Sequence, residues 1–120
     1  MINLKEMFLN YGWKMKHISE AVYKRKVLKK LNEKYKEKVW YLKVETHDNR
    51  RGIPDVILSL TGHFLTLEFK KSVTELSKPR TKMQNYVASL IEKSGGTALF
   101  IYPENEEECF TIMDRIAHGK

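Results

Sequence analysis

Cysteine is nearly absent. Cys109 stands alone among 120 residues, so no internal disulfide can form and a reducing compartment is expected. It also falls on an expected amphipathic helix with no histidine close in sequence, which argues against a nucleophilic thiol. Proline is scarce too. Pro54, Pro79 and Pro103 each sit at the edge of a hydrophobic segment, and no proline-rich linker, repeat or low-complexity tract divides the chain. No apolar run approaches the ~20 residues that span a bilayer. The opening Met1-Ile2-Asn3-Leu4-Lys5-Glu6 lacks the basic-then-apolar order of a secretory signal. No membrane association is expected, and the expected location is the cytoplasm, or the host-cell cytoplasm for a viral protein. The four histidines, His17, His47, His63 and His118, lack the spacing of zinc ligands, and no nucleotide cofactor is expected. Acidic residues are in deficit: 15 against 22 basic ones, a formal charge of +7. That balance favours a polyanionic partner, nucleic acid first, although the same charges also serve solubility alone.

The length suits one domain over 1–120: an N-terminal extension (1–18), a core (19–102) and a C-terminal helix (103–120). In the extension, Leu4 to Tyr11 fits a short helix ending at Gly12. Met7, Phe8, Tyr11 and Trp13 there suit either a core role or a subunit interface. Ser19 is an N-cap for a helix running to about Lys36. Its inward stripe is Glu20, Tyr23, Val27, Leu31 and Tyr35, with Leu28 flanking, and its outer face carries Lys24, Arg25, Lys29, Lys30, Lys34 and Lys36. Val39 to Glu45 reads as a strand, Trp40, Leu42 and Val44 alternating with Tyr41 and Lys43. A polar loop from Thr46 to Gly52 follows, then a hairpin. A second helix opens at or just after Pro79 and ends at Lys93, with Met83, Tyr86, Val87, Leu90 and Ile91 inward and Gly95-Gly96 behind it. Thr97 to Tyr102 is a buried strand, and Asn105 to Ala117 a last helix with Phe110, Met113 and Ile116 inward. The expected fold class is α/β, a mixed four-stranded sheet flanked by helices in the order α-β-β-β-α-β-α. The helix after the third strand makes a crossover, so the last strand runs parallel to it.

Chemistry concentrates in Gly52-Ile53-Pro54-Asp55 and Glu68-Phe69-Lys70. The runs 56–60 and 64–70 are β-rich and flank Thr61-Gly62-His63, a turn signal. A two- or four-residue loop centred on Thr61-Gly62 sets Leu60 opposite His63 and Asp55 opposite Glu68. Lys70 then shares a face with Glu68, because side chains two apart point the same way. A three-residue loop would shift the pairing by one and separate the carboxylates. Opposed residues have Cβ atoms ~5 Å apart, and like charges there are destabilising, so Lys70 or a bound divalent cation should compensate. In the same register Val56, Leu58, Leu60, Leu65, Leu67 and Phe69 form a continuous apolar face. Pro-Asp followed at this distance by Glu-x-Lys also arises by accident, in roughly one or two chains of this length per hundred at average composition. Glu20, at the start of the first helix, either favours the helix dipole or points toward the charged hairpin face.

Gly-Ile-Pro-Asp, then Glu-x-Lys, then a glutamine in the next helix, resembles the VRR-NUC family of the PD-(D/E)XK nucleases, in particular its small stand-alone phage-type members. The similarity covers residues 19 to 102. It implies a restriction-endonuclease-like core and a divalent-metal-dependent, structure-selective DNA endonuclease, with Holliday-junction resolution by a homodimer as one form. The implied catalytic residues are Glu20, Asp55, Glu68, Lys70 and Gln84. The implied ligands of Mg²⁺ or Mn²⁺ are Asp55, Glu68, the main-chain carbonyl of Phe69 and Glu20, directly or through water. Gly95-Gly96 matches the glycine pair before the last family strand. The loop before Gln84 is longer than the family's. Hard oxygen donors suit these ions. Arg50, Arg51, Lys71, Lys78, Arg80 and Lys82 flank the site in sequence and are expected to contact DNA phosphates. The competing reading is a non-catalytic nucleic-acid-binding module that keeps the nuclease fold; an RNA nuclease or a restriction-system component is a further alternative.

Overall fold

The computed structural model describes residues 19–45, 51–77 and 80–119. Helix α1 spans Glu20–Tyr35, strands β1, β2 and β3 span Val39–Lys43, Val56–Leu60 and His63–Phe69, and helix α2 spans Arg80–Lys93. Strand β4 (Thr97–Ile101) and helix α3 (Glu106–Ala117) complete the chain. Among the described residues, short 3-10 helices at Lys36–Lys38, Val73–Ser77 and Pro103–Asn105 interrupt the expected order. They occupy places where a chain must turn sharply between elements, and single 3-10 turns have no hydrophobic period to announce them. The strands form one sheet in the order β1-β2-β3-β4, antiparallel except for the parallel β3–β4 pair. The crossover expected of α2 is therefore present.

The hairpin turn decides the register. Thr61 and Gly62 both have positive φ, +51° and +85°, the signature of a two-residue type I′ turn. That conformation strains a β-branched residue. The single proton of Thr61 Oγ1 faces two carbonyls, those of Leu60 (2.6 Å) and Ile116 (3.1 Å), which tie the turn to the last helix. Leu60 accordingly pairs with His63 and Val56 with Leu67. One step further, Asp55 lies opposite Glu68. All six apolar side chains on the other face are buried. A one-residue slip would expose them, at roughly 1.5–3 kcal/mol each.

The core lies between that sheet face and two helices. Val27, Leu28, Leu31 and Tyr35 of α1 meet Cys109, Phe110, Met113 and Ala117 of α3 over the hairpin. Ser19 caps α1 by accepting from the Val22 amide (3.2 Å). Polar clasps hold the helices together at the rim: the Tyr35 hydroxyl donates to Asp114 Oδ1 (2.7 Å), the Tyr23 hydroxyl to Glu106 Oε1 (3.0 Å), and Lys34 pairs with Asp114 (3.0 Å).

One expected face is turned differently. Met83, Tyr86 and Leu90 of α2, expected inward, are exposed, while Thr81 and Gln84 are buried. The helix covers the sheet face that carries Thr66, Glu68, Ala98 and Phe100, where Gln84 meets the buried Glu68 carboxyl and Ala88 and Ile91 meet the apolar part. In β1, Trp40 and Leu42 are 64% and 49% exposed, while Val39 and Tyr41 pack against the core. β1 is an edge strand, and α2 lies over β4 rather than β1.

Gly52 is where α2 and the segment before Asp55 touch. Its φ is +69°, and a Cβ there would lie 2.5 Å from the Met83 carbonyl oxygen and 2.7 Å from its carbon. Both atoms are backbone and cannot give way. Gly52→Ala is therefore expected to destabilise the protein by about 2–4 kcal/mol, read as a lowered midpoint in urea with an unchanged slope.

Candidate active site

Asp55 is pinned from two directions. Its carbonyl accepts from the Val44 amide (2.8 Å), and its Oδ2 accepts from the Phe69 amide (2.8 Å). The side chain thus leans across the hairpin to the strand that bears Glu68, and the two carboxyl groups come within hydrogen-bonding reach of each other. The convergence expected from the register is present.

Glu68 is buried and its carboxyl is pushed up to about 8. Burial is the largest cause; the charge of Asp55 adds to it, Lys70 opposes it, and Glu20 raises it further. In the metal-free protein at neutral pH, Glu68 is mostly protonated and can donate to Asp55. Gln84 Nε2 donates to Glu68 Oε1 (2.7 Å), and Gln84 Oε1 accepts from the Lys70 ammonium. One amide thereby links base and acid, its two ends fixed by partners of opposite character. Lys70 is only 1% exposed, with its ammonium 5.9 Å from the Phe100 ring centre. Its charge is tolerable there because a carboxylate pair stands beside it.

Glu20 opens α1, half-buried, close enough for its charge to act on Glu68. It does not complete a cage: among the described residues, no three His, Cys, Asp or Glu side chains gather as a metal-binding group. Asp55 and Glu68 alone still suit Mg²⁺ or Mn²⁺, since such ions keep several waters and use one or two carboxylates plus substrate phosphate. The donor set, two hard carboxylates whose mutual repulsion a cation would relieve, fits the group.

Of the flanking cations, Arg51, Lys71 and Lys82 are exposed. Arg80 begins α2, whereas Arg50 and Lys78 lie outside the described residues, as do Met7, Phe8, Tyr11 and Trp13. Lys24, expected on the outer face of α1, instead points to the site: its Nζ is 3.7 Å from Asp55 Oδ1. Its position four residues after Glu20, hence on the same side of the helix, was the available signal. Cys109 is buried, its thiol pushed up to about 11 by burial and by Glu108 and Glu106, as an inert structural thiol would be. His63 bonds Thr97 Oγ1 (2.8 Å) at the far end of the hairpin. No helix among the described residues is long and apolar enough to cross a membrane.

Comparison with protein-family models, with curated proteins and with solved structures finds no match to this chain.

Proposed function

We propose that the protein is a Mg²⁺- or Mn²⁺-dependent, structure-selective DNA endonuclease with a restriction-endonuclease-like core. The single observation that supports this most is the approach of Asp55 to Glu68 within a buried network that includes Lys70 and Gln84. Asp55, Glu68 and the Phe69 carbonyl would hold the ion, and Glu20 would reach it through water. When bound, such an ion supplies a more acidic water and Lewis-acid stabilisation at the scissile phosphate.

The chain's own residues do the rest. Asp55, its main chain held by the Val44 amide and its Oδ2 by the Phe69 amide, presents Oδ1 in a set orientation. Glu68 must give up its proton before it can act as a ligand, so it couples the site to pH. Lys70 offsets the charge of the ionised pair and stands beside the place where water or phosphate would react. Gln84 orients Glu68 and Lys70 against each other. The net charge of +7 provides the attraction to a polyanion, with Arg51, Lys71, Arg80 and Lys82, and with Arg50 and Lys78, as the phosphate contacts. A homodimer, with two sites cutting symmetrically placed strands, is part of this reading, as is a four-way junction among the substrates.

Purified protein is expected to nick linear, flapped or four-way DNA when Mn²⁺ is added and to stop when it is chelated. Salt-sensitive binding to every substrate with no cleavage product under any divalent ion would instead make it a binding module.

A further inference from the structure

Two ammonium groups flank the carboxylate pair, and they differ in reach. Phe69 and Lys70 are consecutive in the chain and point to opposite faces of the sheet. Lys70 stays with α2, donating to Gln84 beside the Phe100 ring. Lys24 stands on the α1 side, 5.7 Å from the centre of the Phe69 ring and 3.7 Å from Asp55 Oδ1. The other oxygen of Asp55 is held by the Phe69 amide, so Lys24 sits against the oxygen that remains for a cation. Lys70 is 1% exposed, whereas the Lys24 side chain keeps 24% of its surface open. With its ammonium at the edge of the site and its side chain partly open to solvent, Lys24 can swing its head outward without moving the backbone.

We propose that Lys24 is the resident counter-cation of Asp55, which yields that oxygen to a divalent ion and then turns to a phosphate of the bound nucleic acid. This rests on the reading of the site as a metal-dependent nuclease centre. An ammonium and a divalent ion cannot share one carboxylate oxygen without strong repulsion. A phosphate arriving with the substrate supplies the partner that Lys24 has lost. The buried Lys70 stays on Gln84, so of the two amines beside the carboxylate pair Lys24 is the one able to exchange partners.

The test compares wild type with Lys24→Met, which keeps an unbranched apolar stem, with Lys24→Arg, which keeps the charge, and with Asp55→Asn. Mn²⁺ alone is titrated by calorimetry at a pH where Glu68 is ionised, with thermal melts alongside. Lys24→Met is expected to bind Mn²⁺ about three- to tenfold tighter than wild type. Binding of a fluorescent duplex oligonucleotide is then measured against salt, once in Ca²⁺ and once in EDTA. In Ca²⁺ the logarithmic salt slope of Lys24→Met should be shallower by about 0.9, and in EDTA unchanged, because there the amine is already occupied by Asp55. Lys24→Arg should restore the wild-type slope. Mn²⁺ binding that is equal or weaker in Lys24→Met, or a slope change that is missing in Ca²⁺ or equal in both media, overturns the proposal. If Asp55→Asn binds Mn²⁺ as well as wild type, the metal-site reading itself fails, and this assignment with it.

Discussion

Asp55→Asn is expected to lower Mn²⁺-dependent DNA cleavage by about a thousandfold or more while leaving the protein folded. Asparagine is the informative substitution because its carbonyl oxygen can still accept from the Phe69 amide, as Asp55 Oδ2 does at 2.8 Å. Alanine would leave that amide short of a partner, at about 1–3 kcal/mol, and would confuse a loss of chemistry with a loss of structure. What asparagine removes is the charge, and with it both the hard anionic ligand and the repulsion felt by Glu68. Single-turnover cleavage and a thermal melt on the same preparation separate the two effects. Cleavage by Asp55→Asn at the wild-type rate would sink the nuclease reading.

Glu68→Gln is expected to do two opposite things: abolish cleavage and stabilise the metal-free protein at alkaline pH. Folding raises the Glu68 carboxyl from its ordinary value of 4.5 to about 8. Between those values the folded state binds more protons than the unfolded state, so stability falls as pH rises, and the loss is complete above about 8. Over that window the wild type should lose on the order of 4 kcal/mol. Glutamine stays neutral throughout, and its carbonyl can keep the bond from Gln84 Nε2. The variant should therefore melt on the order of 10 °C above wild type near pH 9 and show little difference near pH 4. The same titration makes Mn²⁺ affinity in the wild type rise by up to about tenfold per pH unit below 8, since binding must displace a proton. A wild-type stability that is flat from pH 5 to 9 would contradict the burial argument.

Much of the hairpin could be read directly. Alternation put Val56, Leu58, Leu60, Leu65, Leu67 and Phe69 on one face, where all are buried. The Thr61-Gly62 turn then set the parity that brings Asp55 opposite Glu68. Helix α2 was read with the wrong stripe inward. Periodicity selects the apolar line Met83, Tyr86, Val87, Leu90 and Ile91, of which only Val87 and Ile91 are half-buried; the sheet beneath that helix presents Glu68 and Lys70, whose hydrogen bonds Gln84 supplies, while the buried Thr81 donates to the Glu75 carbonyl (3.0 Å). Lys24 was missed for a related reason. A lysine on a helix is ordinarily solvated, and its place one turn after Glu20 gives its side of the helix but not the approach of Asp55, 31 positions later, to 3.7 Å.

What the chain determined by itself was local and periodic: the caps, the turn, the side of each strand that is apolar, and the residue types able to bind a hard cation. Assembly decided the rest. Only packing across the sheet could bury Glu68 enough to move its proton affinity, seat Gln84 between Glu68 and Lys70, and set Lys24 against Asp55. Those outcomes depend on desolvation and on charges brought together from distant parts of the chain, and neither quantity exists until the layers close.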